Sequence, residues 1–329
     1  MADLSTQYMG LELKNPIIVG SSELTNKSDK VKELAEAGAG AVVLKSLFEE
    51  QIMMEVDAQR VNNMYGSFND VENYVSFYTR KHDLDEYLEL IRSSKESTDI
   101  PVIASINCIS SSEWVDFARQ IEKAGADALE LNMFIMPNDP NFSGFELEKI
   151  YFDLVDNIQQ HIKIPVALKM GTYFSGLAKT FIELSKTNIS AMVLFNRFYS
   201  PDINLEKESI KASHVFSHPD DFSNSLRWIG ILSDQVDCDL SASTGAHDGY
   251  TILKNLLVGA KATHVVSTIY KNSNTQIQKM LEQIEKWMDQ KGYQSIPEFR
   301  GKLSQANIKQ PMMYERAQFM KYYSNYRDV

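Results

Sequence analysis

A chain of 329 residues that is 43% apolar and carries a net charge of −11 can bury a large core but offers nucleic acid no basic surface. Its start lacks a basic-then-apolar leader, and no apolar run nears the roughly 20 residues of a membrane span. Two cysteines, Cys108 and Cys238, supply neither a disulfide framework nor a CxxC metal site, so the expectation is a cytoplasmic protein without membrane or nucleic-acid partners. Taken in order, residues 1–14 place Leu4, Tyr8, Leu11 and Leu13 around Gly10, which predicts a small hairpin. Asn15-Pro16-Ile17-Ile18-Val19 reads as a first strand ending at Gly20-Ser21-Ser22. A helix from about Ser28 to Ala37 follows, with Val31, Leu34 and Ala35 on one face. The second strand, Gly40 to Lys45, runs into an insertion, Leu47 to His82, that holds the turn-like cluster Asn62-Asn63-Met64-Tyr65-Gly66.

A helix at Leu84 to Glu96 leads to the third strand, which starts at Ile100-Pro101-Val102 and ends at Ile106-Asn107-Cys108. The next helix puts Trp114, Phe117, Ala118 and Ile121 on one stripe, a core-packing pattern. The fourth strand, Ala126 to Asn132, enters the loop Met133 to Pro140, and a helix spans Glu146 to Ile162. Ile164 to Met170 is the fifth strand, Phe174 to Thr187 a helix, and Ile189 to Asn196 the sixth strand. A second insertion, Phe198 to Ser223, precedes the seventh strand at Cys238 to Ala242 and the eighth at Ala262 to Thr268. From about Gly292 a tail rich in Met312, Met313, Tyr314, Phe319, Tyr322, Tyr323 and Tyr326 needs cover from the barrel or from a second subunit, which makes a homodimer the expected assembly if the latter.

Eight strands alternating with helices favour one closed (β/α)8 TIM barrel over an open doubly wound sheet, with the N-terminal hairpin as its plug and residues 1–329 as one domain. Gly38-Ala39, Gly125-Ala126 and Gly259-Ala260 fit helix ends. Helix-to-strand links are short, whereas the links after strands two, four and six are long, so elaboration falls on the face where such barrels hold their chemistry.

Strand ends on that face supply Ser21, Ser22, Lys45, Ser46, Asn107, Asn132, Lys169, Asn196, Thr244, Gly245, Ser267 and Thr268. Serine and asparagine there are as readily explained by helix capping. Lys45 and Lys169 are different, because a lysine stem in the barrel wall needs an anionic partner. Glu130 reads as out of phase with Asn132, so a bound anion or an electron-rich ring is the expected partner of at least one lysine. Ser243 to Gly249 together with Ser267-Thr268 form a phosphate-site candidate, in which glycine lets backbone amides approach the anion. His247 beside it is expected on the surface.

Together, Lys-Ser after strand two, Glu-Leu-Asn with a later Pro-Asn after strand four, Val-x-x-Lys on strand five, Asn after strand six and a glycine turn after strand seven resemble the dihydroorotate dehydrogenases. Leu-Phe-Asn-Arg-Phe-Tyr-Ser-Pro-Asp-Ile at 194–203 and Ser-Leu-Phe-Glu-Glu-Gln at 46–51 look closer to the dihydroorotate-dehydrogenase-like branch. The resemblance covers residues 1 to about 290 and implies an FMN-dependent oxidoreductase acting on CH–CH groups in pyrimidine biosynthesis. It implies FMN contacts from Ser22, Lys45, Ser46, Asn107, Asn132 and Lys169, with the phosphate at Gly245, Ala246, Ser267 and Thr268. Lys169 would lie at the flavin edge where negative charge develops. Asn63, Asn132, Asn138, Asn196 and Arg197 would face a small dihydropyrimidine or related carboxylate, and Lys45, Asn132 and Asn196 are the catalytic candidates.

The pattern also departs from the family. Asn132-Met133-Phe134-Ile135-Met136-Pro137-Asn138 is one residue longer than expected and puts Met136 where a cysteine or serine base belongs. Tyr65, Cys108, Ser110, Asp139 and Tyr199 are the other groups that could supply a base. Three functions follow: dihydroorotate oxidation, oxidation of a different CH–CH substrate held by Arg197, or flavin binding without catalysis.

Overall fold

A computed structural model describes residues 2–48, 69–107, 114–133, 135–198 and 200–315. Its centre is a closed barrel of eight parallel strands: β1 (Ile17–Val19), β2 (Ala41–Val43), β3 (Val102–Asn107), β4 (Ala128–Asn132), β5 (Val166–Met170), β6 (Ala191–Leu194), β7 (Asp239–Ala242) and β8 (Ala262–Val265). Neighbours in the sheet are neighbours in sequence, and β8 pairing with β1 closes the ring. Around it lie α1 (Ser28–Glu36), α2 (Asn69–Ser97), α3 (Trp114–Ala124), α4 (Gly144–Gln159), α5 (Leu177–Ser185), α6 (Phe222–Leu232), α7 (Gly249–Leu257), the short α8 (Ser267–Asn272) and α9 (Thr275–Lys291). The eight-strand expectation is met.

Alternation sorts each strand between two cores. Val19, Val42, Leu44, Val102, Ala104, Leu129, Leu131 and Leu168 face outward into the helices. Ile18, Ala41, Val43, Ile103, Ala128, Ala167, Ala191, Val193 and Ala262 form a separate inner core with Tyr8, Met9 and Leu13. Those three belong to an antiparallel hairpin, Thr6–Tyr8 with Leu11–Leu13, that plugs the barrel as expected. Five of the nine inward barrel side chains are alanine, and this leaves room for the buried Tyr8 ring to enter from below. Met9 and Gly10 make the turn at positive φ, and the Asp239 carboxylate accepts from the Met9 amide at 2.9 Å.

The three Gly-Ala helix ends behave as read: Gly38, Gly125 and Gly259 adopt φ of 105°, 95° and 119°. Several boundaries move. The second helix begins at Asn69 rather than Leu84, so the insertion after β2 is shorter than Leu47 to His82. A short strand, Leu47–Phe48, also lies within that range and extends the pairing of β3. Helix α4 starts at Gly144, because Ser143 and Glu146 form a reciprocal capping box, and it stops at Gln159. Strand β8 stops at Val265, and Ser267 already opens α8. The Phe198 to Ser223 insertion carries an exposed antiparallel ribbon, Pro201–Asn204 with Ser209–Ala212.

Beyond Gly292 the chain folds back on the helices. Tyr293 stacks on Trp287, and Phe299 is fully buried. The Leu303 amide donates to the Leu257 carbonyl, and the Gln305 amide donates to the Gly230 carbonyl. Barrel helices therefore cover this part of the tail, while Phe319, Tyr322, Tyr323 and Tyr326 lie outside the described residues. Among the described residues no helix is long and apolar enough to cross a membrane.

Two glycines separate close packing from backbone conformation. A Cβ at Gly40 would sit 2.2 Å from the Asn15 carbonyl oxygen, whereas one at Gly125 meets nothing within 4 Å but must hold a φ of 95°. Gly40→Ala is expected to lower stability in urea by about 3 kcal/mol, and Gly125→Ala by about 1 kcal/mol. Equal midpoints for the two variants would show that the Asn15 contact yields freely.

Candidate functional site

A cavity of about 250 Å³ opens at the C-terminal end of the strands, lined by Ser21, Lys169, Asn196, Arg197, Ser217, Ser243, Thr244, Gly245, Ala246, His264 and Ser267, with Val215 and Val266. Each lining side chain follows from strand alternation. On β5, Ala167 and Lys169 point inward, and on β8 Ala262 and His264 do the same. On β4, Ala128, Glu130 and Asn132 share the inner face, because residues two apart lie on one side of a strand. The expectation that Glu130 is out of phase with Asn132 is therefore corrected. Glu130 lies beside Ala167 in the register, and that small neighbour leaves space for its carboxylate.

Glu130 is 1% exposed and pairs with Lys169, Nζ to Oε1 at 3.4 Å. Its other oxygen lies 3.8 Å from Nδ1 of His264, a residue on the strand opposite in the ring. The three side chains thus span the barrel interior at the cavity's inner end. Both ring nitrogens of His264 are buried without a hydrogen-bond partner in the described structure. Burial pushes this imidazole down to about 4, against the pull of the Glu130 carboxylate and with help from the Lys169 ammonium. At neutral pH it is an uncharged ring with one donor and one acceptor. Neither Glu130 as a partner for Lys169 nor His264 was among the sequence candidates.

Above this layer, the Asn196 amide donates to the Asn132 side-chain carbonyl at 2.8 Å. Asn132 is the register neighbour of Lys169, so both asparagines and the lysine gather at the ends of β4, β5 and β6. Ser21 and Ser46 share a hydrogen bond at 2.9 Å, and Ser46 and Ser105 share another at 2.7 Å. Asn107 closes β3 at the same end and is half-buried. Ser22 is directed elsewhere: its hydroxyl accepts from the Leu24 amide and donates to the Gly20 carbonyl, a local cap. Ser21 is the serine of this pair that lines the cavity. Lys45 is half-buried and contacts Glu23 at 2.5 Å, so it too has a carboxylate partner rather than none.

The far wall is built from the turn after β7 and the insertion after β6. Thr244 and Gly245 adopt φ of 75° and 81°, and a Cβ at Gly245 would fall 2.2 Å from the Phe222 amide nitrogen. Gly245 is thus required by the close approach of α6. Ser267 and Ala246 face the cavity, but Thr268 is fully buried and donates its hydroxyl to the His247 carbonyl. His247, expected on the surface, is half-buried, with Nε2 3.0 Å from the Ser217 hydroxyl. Burial first, and the Lys271 ammonium second, lower its pKa.

Arg197 lines the cavity, yet its terminal nitrogens donate to the carbonyls of His214, Val215 and Phe216. The guanidinium thus fastens the insertion to the cavity wall. Met136 and Asn138 are exposed on the loop after β4 and do not line the cavity. Asn63, Tyr65, Cys108, Ser110 and Tyr199 lie outside the described residues.

The buried neutral histidine makes stability depend on pH. Unfolded, His264 takes up a proton near pH 6.5, but in the fold only near 4. Its contribution is complete above about pH 6.5 and is lost as the pH falls toward the folded value, because the unfolded chain then binds more protons. Stability in urea is expected to fall by roughly 2 kcal/mol between about pH 7 and 5 through this residue. His264→Gln should lack that part of the slope. Identical slopes would contradict burial of a neutral ring.

A family model described as dihydroorotate dehydrogenase matches residues 3–288. The chain is 25% identical over 318 residues to the catalytic subunit of dihydroorotate dehydrogenase B (NAD(+)) from Thermoplasma volcanium, covering 92% of this chain and 98% of that one. It is 24% identical over 313 residues to the same-named subunit from Pyrococcus furiosus, covering 91% and 98%. Against dihydroorotate dehydrogenase A (fumarate) from Lactococcus lactis, the identity is 22% over 319 residues, covering 91% and 99%. Since the family match runs across all eight barrel strands and both walls of the cavity, the chain belongs to the dihydroorotate dehydrogenase family, flavin-dependent oxidoreductases that act on CH–CH groups.

Proposed function

We propose that the protein binds one FMN per chain in this cavity and oxidises a small cyclic substrate related to dihydroorotate. The observation that carries this is the buried Lys169 ammonium at the end of β5, set beside amide side chains and facing a cavity with a glycine turn on its far wall. FMN brings three chemistries to one molecule: a ring edged with carbonyls and N–H groups, a hydroxylated chain and a phosphate. The lining offers partners for the ring and for the phosphate. Lys169 and the Asn196 amide, both on the cavity wall, offer donors and an acceptor to the ring edge. The turn at Thr244 to Ala246 and the start of α8 at Ser267 offer backbone amides to the phosphate.

When bound, FMN supplies the hydride acceptor. Lys169 stabilises negative charge at the site, and Asn132 and Asn196, already hydrogen-bonded to each other, orient amide donors and acceptors toward the substrate. Ser46, Asn107 and Lys45 lie at the neighbouring strand ends, and Asn63 is a further proposed substrate contact. Met136, exposed and incapable of taking a proton, stands in the loop after β4 where the resemblance leads one to expect a base. A substrate other than dihydroorotate is therefore the second reading, since that exposed thioether is the observation favouring it.

Purified protein should be yellow and release FMN at roughly one per chain. Lys169→Ala is expected to raise the FMN dissociation constant at least tenfold, equivalent to about 1.4 kcal/mol. A colourless protein that takes up no FMN at micromolar concentration would sink the cofactor assignment.

With a dye as acceptor, dihydroorotate turnover should fall below that of a base-containing relative by about 10²–10⁴, the usual contribution of a general base. Wild-type turnover within about tenfold of such a relative would place the base elsewhere, and Tyr65 and Cys108 would be the first positions to replace.

A further inference from the structure

Lys169, the cation proposed above to meet the cofactor, is not a free charge. Lys169 has 11% of its side chain exposed and Glu130 has 2%, and their charged atoms lie 3.4 Å apart. Glu130 does not itself line the cavity; it sits behind Lys169 and His264, which do. A carboxylate this deep, paired with one cation and facing one neutral ring, has little water to screen it, so its charge is felt strongly by its neighbours. Resting on the flavin assignment above, we propose that Glu130 is a positioning residue that sets the charge presented by Lys169 to the cofactor, so that the bound flavin meets a compensated pair instead of a full positive charge.

Two consequences follow from the geometry. First, the pair holds the ammonium at the inner end of the cavity, because the carboxylate is fixed on β4 next to Ala167 while the lysine stem rises from β5. Second, the pair is close to neutral, so it favours the anionic reduced flavin over the oxidised form less than an unpaired lysine would. Removing the carboxylate and removing the ammonium should therefore push the flavin in opposite directions, and removing both should nearly cancel. A purely structural role for Glu130 predicts no such ordering.

The test compares wild type, Glu130→Gln, Lys169→Met and the double variant, each loaded with FMN. The readout is the midpoint potential by equilibrium reduction with a reference dye, alongside FMN affinity by fluorescence quenching. Glu130→Gln is expected to shift the ratio of reduced to oxidised flavin affinity at least tenfold toward the reduced form, about 30 mV upward for a two-electron couple. Lys169→Met should shift it downward, and the double variant should lie within about threefold of wild type. If Glu130→Gln alone does not fold, the double variant against Lys169→Met carries the same comparison, and the double variant must favour reduced flavin by at least about tenfold. An unchanged or downward-shifted ratio in Glu130→Gln with flavin bound overturns the proposal alone. Failure of the wild type to bind FMN overturns the flavin assignment and this proposal with it.

Discussion

The buried pair of Lys169 and Glu130 is the interaction on which the site depends. Two opposite charges inside a barrel lose their water, and removing either partner alone typically costs about 3–5 kcal/mol. The structure accommodates them through small neighbours. Ala128 and Ala167 lie below them on the same strands and Ala262 lies below His264, so long polar side chains rise from an alanine floor. Beneath that floor the hairpin ring of Tyr8 fills the space the alanines leave, and its hydroxyl, deprived of water by burial, is held far from ionisation. The barrel interior thus grades from apolar plug to charged layer to open cavity.

A second constraint shapes the far wall. The turn after β7 can approach α6 because Gly245 lacks a side chain, and the insertion after β6 is tied down by three carbonyls accepting from Arg197. Ser217 completes the link: its amide donates to the Ser267 hydroxyl, and its carbonyl accepts from Lys271. These contacts join three separate loops into one surface. The side chains of Arg197 and Thr268 donate hydrogen bonds that hold that surface together. A preformed wall lowers the ordering cost of binding, which suits a cofactor that stays in place.

The barrel was legible because its strands recur with the same grammar: an apolar run, a polar end and a glycine-ended helix before the next. The charged layer was legible in part. Ala128-x-Glu130, Ala167-x-Lys169 and Ala262-x-His264 repeat one inward pattern, and reading the period of two correctly along β4 would have paired Glu130 with Lys169 and pointed to His264. Ser143-x-x-Glu146 is a capping-box signal that marks the start of α4 two residues before the helix the apolar stripe alone predicts. Other features were not readable. Nothing local distinguishes Ser21, which faces the cavity, from Ser22, which caps the turn beside it, because that choice depends on the exit angle of β1. The commitments of Arg197 involve residues 17 to 19 positions away across an irregular loop, beyond the reach of any period.

A crystal structure of the protein grown with FMN tests the central claim most directly. The flavin ring is expected within hydrogen-bonding distance of Lys169 Nζ, with the phosphate between the turn at Thr244 to Ala246 and the start of α8. Flavin bound elsewhere, or a ring that leaves Lys169 in contact with Glu130 alone, would contradict it.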